Sequence, residues 1–172
     1  KHLIMKSSTL LIAIMVGFLT SSMCAQETVW FDSNWKVSIK EKAAYYRPSP
    51  KKKDKGYWIV DYYVSGKKQM EGFSTVSIPN KEMFQGKVKF FHENGKVYQN
   101  VHYFEGEPEG SFSEFYDTGE TQRVGHYSKG LRDGIWKTYY KYGKIQSRGK
   151  YKNGEKVGIW KTFYKNGDSS VD

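Results

Sequence analysis

Gly134-Ile135-Trp136-Lys137-Thr138-Tyr139-Tyr140-Lys141-Tyr142-Gly143-Lys144 returns with small changes as Gly158-Ile159-Trp160-Lys161-Thr162-Phe163-Tyr164-Lys165-Asn166-Gly167-Asp168, one step of 24 residues along the chain. The step extends backward. Gly86, Gly110, Gly134 and Gly158 keep it, as do Gly95, Gly119, Gly143 and Gly167, and Gly106, Gly130 and Gly154. Phe91, Phe115, Tyr139 and Phe163 follow the same beat, with Tyr103, Tyr127 and Tyr151. A period in this range is the mark of a repeat array, in which each unit buries its apolar face only against its neighbours.

Within a unit, Gly134 to Tyr140 alternates and is rich in β-formers, so it reads as a strand, and Ile145 to Tyr151 reads as its return. Glu93-Asn94-Gly95-Lys96 and Lys165-Asn166-Gly167-Asp168 occupy the first turn. Asn-Gly there predicts a two-residue loop with positive φ at both residues. That loop sets Trp136 opposite Gly149 and Phe112 opposite Gly125, each ring covering a strand glycine. Alternation puts Trp136 and Tyr140 on one face and Tyr139 on the other, with like residues stacked into ladders on both faces. The second turn is Lys152-Asn153-Gly154-Glu155. The expected fold is all-β: an elongated antiparallel β-hairpin array forming a meander and a single-layer twisted sheet, after a signal peptide.

Residues 1–25 read as that signal peptide. Lys6 precedes the apolar run Leu10 to Leu19, followed by the small and polar residues Thr20 to Ala25, with Met5 the expected start. The run is shorter than the roughly 20 residues of a transmembrane anchor. Two readings of Cys24 stay open. It is a lipidated mature N-terminus, or cleavage follows Ala25 and leaves Gln26 first. Met23 stands where a lipoprotein signal takes a small residue, which favours cleavage after Ala25. The expected location is exported, periplasmic or outer-membrane-associated. Removing Lys1 and Lys6 lowers the net charge from +10 by two, to +8. Such a balance attracts anionic lipid, acidic glycan or acidic protein, and equally keeps a sheet surface soluble. Export argues against nucleic acid.

Residues 26–55 read as an N-terminal β cap, with strands at 28–31, 35–39 and 43–47, and a charged loop, Pro48 to Lys55. Lys51, Lys52, Lys53 and Lys55 make that loop a candidate anion-binding site or a solvated turn. Residues 56–172 are the repeats, regular from Gly86, with an insertion around Ile78 to Glu82. The short final copy, Ser169 to Asp172, reads as a minimal cap or as the break of a longer protein whose activity lies beyond residue 172.

The paired stretches at 134–144 and 158–168 resemble the bacterial MORN-repeat variant: Gly-x-Trp, paired aromatics, x-x-Gly-Lys, then Tyr-x-x-Gly. The resemblance covers about Gly56 to Asp172. It implies the YwqK-type family labelled as toxin–antitoxin antitoxins, and with that a toxin as one alternative partner. Similar exported arrays precede TonB-type C-terminal domains in Bacteroidetes-like envelope proteins. MORN arrays are associated with membrane lipid and protein scaffolding.

No catalytic or metal constellation emerges. His102 and His126 hold equivalent repeat positions, two strands or about 9–10 Å apart, too far to share one zinc without further ligands. His92 lies near a turn. The chain has no Gly-x-Ser-x-Gly, His-Glu-x-x-His or Walker-type loop. Glu105, Glu107 and Glu109 form an acidic turn that does not match an EF-hand. No cofactor and no small-molecule substrate are expected. The expected function is a non-catalytic envelope scaffold binding another protein through its sheet surface, with Phe112, Tyr116, Trp136, Tyr140, Trp160 and Tyr164 as candidate contacts. The alternative is a charge-driven membrane-surface or polysaccharide binder.

Overall fold

The structure, a computed structural model, describes residues 27–164 and 169–171. The signal peptide with Cys24, and the turn at 165–168, lie outside the described residues. The N-terminal strands are β1 (Val29–Phe31), β2 (Val37–Ser38), β3 (Tyr45–Arg47) and β4 (Lys51–Lys53). The repeats supply β5 (Gly56–Tyr63), β6 (Lys68–Ser74), β7 (Phe84–Phe91), β8 (Val97–Phe104), β9 (Glu107–Phe115) and β10 (Thr121–Ser128). They continue as β11 (Leu131–Tyr139), β12 (Ile145–Lys152), β13 (Glu155–Phe163) and β14 (Ser169–Val171). All join in one open sheet. From β5 to β14 each strand pairs antiparallel with the next, and β3, β1 and β2 extend the other edge. The expected all-β hairpin array is what forms.

One expected loop is instead a strand. Lys51–Lys53 pairs with Trp58, Tyr57 and Gly56 of β5, while β3 pairs with Tyr62 and Tyr63 further along the same edge. The segment Pro48-Ser49-Pro50 separates them. Prolines offer no N–H to a ladder, so one edge of β5 is covered by two short strands in place of one long one.

The turns differ from expectation in a consistent way. At the first turn of each hairpin, Gly143 N–H donates to the Tyr140 carbonyl and Tyr140 N–H to Lys144. Tyr63/Lys67, His92/Lys96 and Tyr116/Glu120 repeat this geometry. These are three-residue loops, a tight turn plus one left-handed residue, Gly143 at φ 85°. The two-residue turns with both residues left-handed lie at the other end: Glu105-Gly106, Lys129-Gly130 and Asn153-Gly154, with φ of 49° and 84° in the first. The predicted register survives because a bulge beside the longer loop, between Thr138 and Tyr139, absorbs the extra residue. Trp136 therefore pairs with Gly149, and Phe112 with Gly125.

The covering rings are not the paired ones. A Cβ on Gly125 would come within 2.2 Å of the Trp136 ring, and one on Gly149 within 2.2 Å of Trp160. Each indole leans back over the preceding strand. The cause is a second irregularity, between β10 and β11 and again between β12 and β13, where the register slips beside Gly125 and Gly149. One repeat earlier, Phe112 faces Val101 where Trp136 meets Gly125. A smaller ring is matched by a larger strand residue, which keeps the packed volume similar.

The core is one face of the sheet. Ile59, Met70 and Val88 pack with Tyr57, Phe84, Phe90 and Tyr103. Val101, Phe112 and Trp136 continue the row with Tyr127, Tyr151 and Trp160. Tyr127 and Tyr151 meet Trp136 edge-on at 5.2 and 5.9 Å, and Tyr151 meets Trp160 at 5.0 Å. Edge-on contacts suit the ring quadrupoles. At the N-terminal end the core closes on ions. Buried Arg47 grips buried Asp61 through two hydrogen bonds of 2.6 and 2.8 Å and also binds Glu82 of the 75–83 loop. Burial pushes the Asp61 carboxyl up, against the pull of Arg47. The triad ties cap, first repeat and insertion together.

Two stability outcomes follow. Gly125→Val is expected to cost about 1–3 kcal/mol by evicting Trp136, and adding Trp136→Phe, which copies the Val101/Phe112 pair, should recover part of that loss in urea unfolding. Arg47→Met, which strands two carboxylates, is expected to cost about 3–5 kcal/mol in the same assay.

Candidate interaction surfaces

The repeated aromatics divide into three groups. Phe112 and Trp136 are buried, and the Trp136 indole N–H donates to the His126 carbonyl at 3.1 Å. They are core. Tyr116 and Tyr140 are half-buried, with hydroxyls committed to the next hairpin: Tyr116 donates to the Tyr139 carbonyl at 2.7 Å and Tyr140 to the Phe163 carbonyl at 2.8 Å. Tyr63 does the same to Phe91, and the ring nitrogen Nε2 of His92 lies 2.9 Å from the Phe115 carbonyl. His92 thus fills a tyrosine slot in a row of hairpin-to-hairpin ties. Its place one repeat before Tyr116 was the signal in the sequence. Trp160 is half-buried, and Tyr164 is exposed.

Cations lie on the C-terminal rings of this face. The Arg132 guanidinium sits 4.6 Å from the Trp136 ring centre and donates to the Tyr151 hydroxyl at 3.1 Å. Lys156 Nζ lies 4.5 Å from the Trp160 ring. With Arg123, Thr138 and Ser147 they line an open pocket of about 270 Å³. The cations cap the rings, so the pocket is a shallow, basic dent.

The histidines sit where the repeat places them. Ser111 lies between His102 and His126, hydrogen-bonded to the first at 2.9 Å and paired in register with the second. Among the described residues no three His, Cys, Asp or Glu side chains converge as metal ligands. Lys51, Lys52 and Lys53 are exposed on β4, and Lys55 is in the turn after it. Strand alternation sends Lys52 to the opposite face from Lys51 and Lys53, so the structure does not bring the set together.

The opposite face carries what residue-type reasoning missed. Lys137 pairs with Arg148, and Arg148 with Lys161, placing three cations side by side on β11, β12 and β13. The adjacent row is Ile135, Lys150 and Val157. Ile135 and Ile159, one repeat apart, are 64% and 68% exposed. Ile135, Lys137, Arg148, Lys150, Ile159 and Lys161 border a groove of about 440 Å³. The signal was present: once Trp136 is set opposite Gly149, Lys137 falls opposite Arg148.

The pattern of the MORN repeat variant matches residues 84–104 and 132–153, the first a β7–β8 hairpin and the second a β11–β12 hairpin. No curated protein matches the chain. Among solved structures, the GtfA/B complex bound to UDP and GlcNAc superposes with a TM-score of 0.28 at 7% identity, over 70% of this chain and 22% of that one. The chain spans under a quarter of that protein, and a likeness this weak carries no argument about fold or activity.

The hydroxyl ties have a measurable weight. Tyr116→Phe and Tyr140→Phe are each expected to lower stability by about 0.5–1.5 kcal/mol. The two losses should add within a few tenths of a kcal/mol in thermal or urea melts, because each tie joins a different pair of hairpins.

Proposed function

We propose that this protein is a non-catalytic repeat scaffold of the bacterial cell envelope that binds another protein on its sheet surface. Two MORN-variant hairpins and a single open β-sheet fit such a scaffold. The observation that carries the reading is the division of the two faces. Phe112, Trp136, Tyr127 and Tyr151 are consumed as core on one face, while the other exposes Ile135 and Ile159 at repeat spacing, beside cations. Large aliphatic side chains that a fold does not use, set in a contiguous groove, are what partner surfaces present. The contact therefore shifts from Phe112, Trp136, Tyr116 and Tyr140, which the fold uses, to Ile135, Ile159 and their neighbours. Trp160 and Tyr164 stay accessible at the C-terminal end. Export through residues 1–25 belongs to the same proposal, as does the YwqK-type affiliation.

A second reading has its own support. The cation row Lys137, Arg148 and Lys161, on a chain of net charge +10, suits charge-driven binding to an anionic membrane or polysaccharide.

A photo-crosslinker at position 135 or 159 should trap one and the same envelope protein, and a crosslinker at buried position 112 should trap none. Ile135→Asp with Ile159→Asp should abolish capture by a crosslinker at neighbouring position 150 while leaving the melt within about 0.5 kcal/mol of wild type. Failure of the two positions to converge on one partner sinks the protein reading. Binding to anionic vesicles at low salt that is lost near 0.15 M, where the Debye length has shortened to about 8 Å, would mark the second reading instead.

A further inference from the structure

On the exposed face, among the described residues, Lys137, Arg148 and Lys161 pair directly with no carboxylate, the outer partners being Val124 and Val171. Elsewhere on that face Lys89 stands opposite Glu71, which also binds Lys68 at 2.8 Å. Lys137, Arg148 and Lys161 are instead each other's cross-strand neighbours, and the next row brings Lys150 between Ile135 and Val157. Like charges directly opposite destabilise a sheet. An anionic group laid over them would remove that repulsion, and the exposed isoleucines ask for an apolar body attached to it.

The same chain presents such a surface. Phe104, 60% exposed, sits with Glu105, Glu107 and Glu109 around an open groove of about 520 Å³. Lys129 contributes a cation to its wall, and its backbone N–H donates to Glu109 at 2.6 Å. Strand alternation from His102 puts Phe104 on the face that His102 shares with Ser111 and His126. His126 pairs with Asp133, two positions before Ile135. The acidic and basic patches thus lie on one face, at β8–β9 and at β11–β13. The six strands β8 to β13, of eight or nine residues each, cover about 29 Å across the strands and about 28 Å along them. That region supplies the roughly 800 Å² per partner that a stable interface buries.

We infer that the exposed face pairs with a second copy of this chain about a two-fold axis, each copy laying Phe104, Glu105 and Glu107 on the other's Ile135, Ile159, Lys137, Arg148 and Lys161. This deepens the scaffold reading by naming one partner. A two-fold arrangement uses both patches twice and closes the assembly, where a single head-to-tail contact would grow into a fibre.

Sedimentation velocity on the full chain tests it. A dimer is expected at low ionic strength, and at about 0.5 M salt its dissociation constant should rise at least tenfold. Lys137→Glu/Arg148→Glu/Lys161→Glu makes both patches acidic, and Glu105→Lys/Glu107→Lys makes both basic. Lysine is accommodated at the turn position of Glu105, since Lys129 holds the equivalent place with the same φ of 49°. Each variant alone is expected to be monomeric with an unchanged circular dichroism spectrum, and an equimolar mixture should restore a dimer. A wild-type chain that stays monomeric at about 100 µM in low salt overturns the inference, as does a mixture that fails to pair; 100 µM is well above the micromolar range of ordinary transient contacts. If the chain is monomeric yet positions 135 and 159 still trap one foreign protein, the inference falls and the scaffold reading stands. If neither occurs, both fall.

Discussion

The Trp136 ring occupies the space that any side chain on Gly125 would need, and Trp160 does the same over Gly149. A single-layer sheet has no second layer to pack against, so its apolar surface must be covered by its own side chains. A ring that reaches across to the preceding strand does this and also holds consecutive hairpins in contact. The reach depends on the glycine, and on the slip in register that brings the indole over it. Where the strand residue is Val101, the ring must be the smaller Phe112. Ring size, strand residue and register are thus one coupled choice made three times along the array.

The remaining ties lie at the two ends of the strands. Tyr63, His92, Tyr116 and Tyr140 reach from each first turn to a carbonyl of the next hairpin. At the opposite end the N–H groups of Gly106, Gly130 and Gly154 donate to Phe84, Pro108 and Arg132 of the preceding hairpin. Each unit is therefore held by its middle and by both ends, which suits an array whose stability is a sum of neighbour interfaces. Among the described residues no repeat precedes β5, and there the Arg47, Asp61 and Glu82 triad closes the core. A buried ion group of this kind adds little net stability over apolar packing, but it strongly penalises the loss of any one member. It sets how the cap and the insertion meet the first repeat.

This economy frees the second face. With Phe112, Trp136 and Trp160 packed on one side, the other side of β9 to β13 has no second layer among the described residues, and its residues answer to strand alternation and to whatever binds there. That is why exposed isoleucines and a row of three neighbouring cations can persist on it. The acidic turn at 105–109 and the basic strands β11 to β13 give the face a charge asymmetry that the net charge conceals.

The 24-residue step by itself determined the hairpin array and the pairings Trp136–Gly149 and Phe112–Gly125, because alternation and turn spacing are local properties of a strand, although β11 begins at Leu131, three residues before the expected start. The N-terminal strands were legible for the same reason. The tertiary structure decided which ring covers which glycine, since that rests on a register slip between hairpins and not within one. It also decided that the first turn has three residues, with Asn94 outside the left-handed region, because a neighbouring bulge can absorb the extra residue without disturbing the ladder. Lys51–Lys53 became a strand only because β5 had an uncovered edge. The aromatics were visible from composition, but whether they form a core or an interface depends on what lies across the sheet from them. Only the folded pairing of β11, β12 and β13 brings Lys137, Arg148 and Lys161 into one row, through contacts between residues that are far apart in the chain.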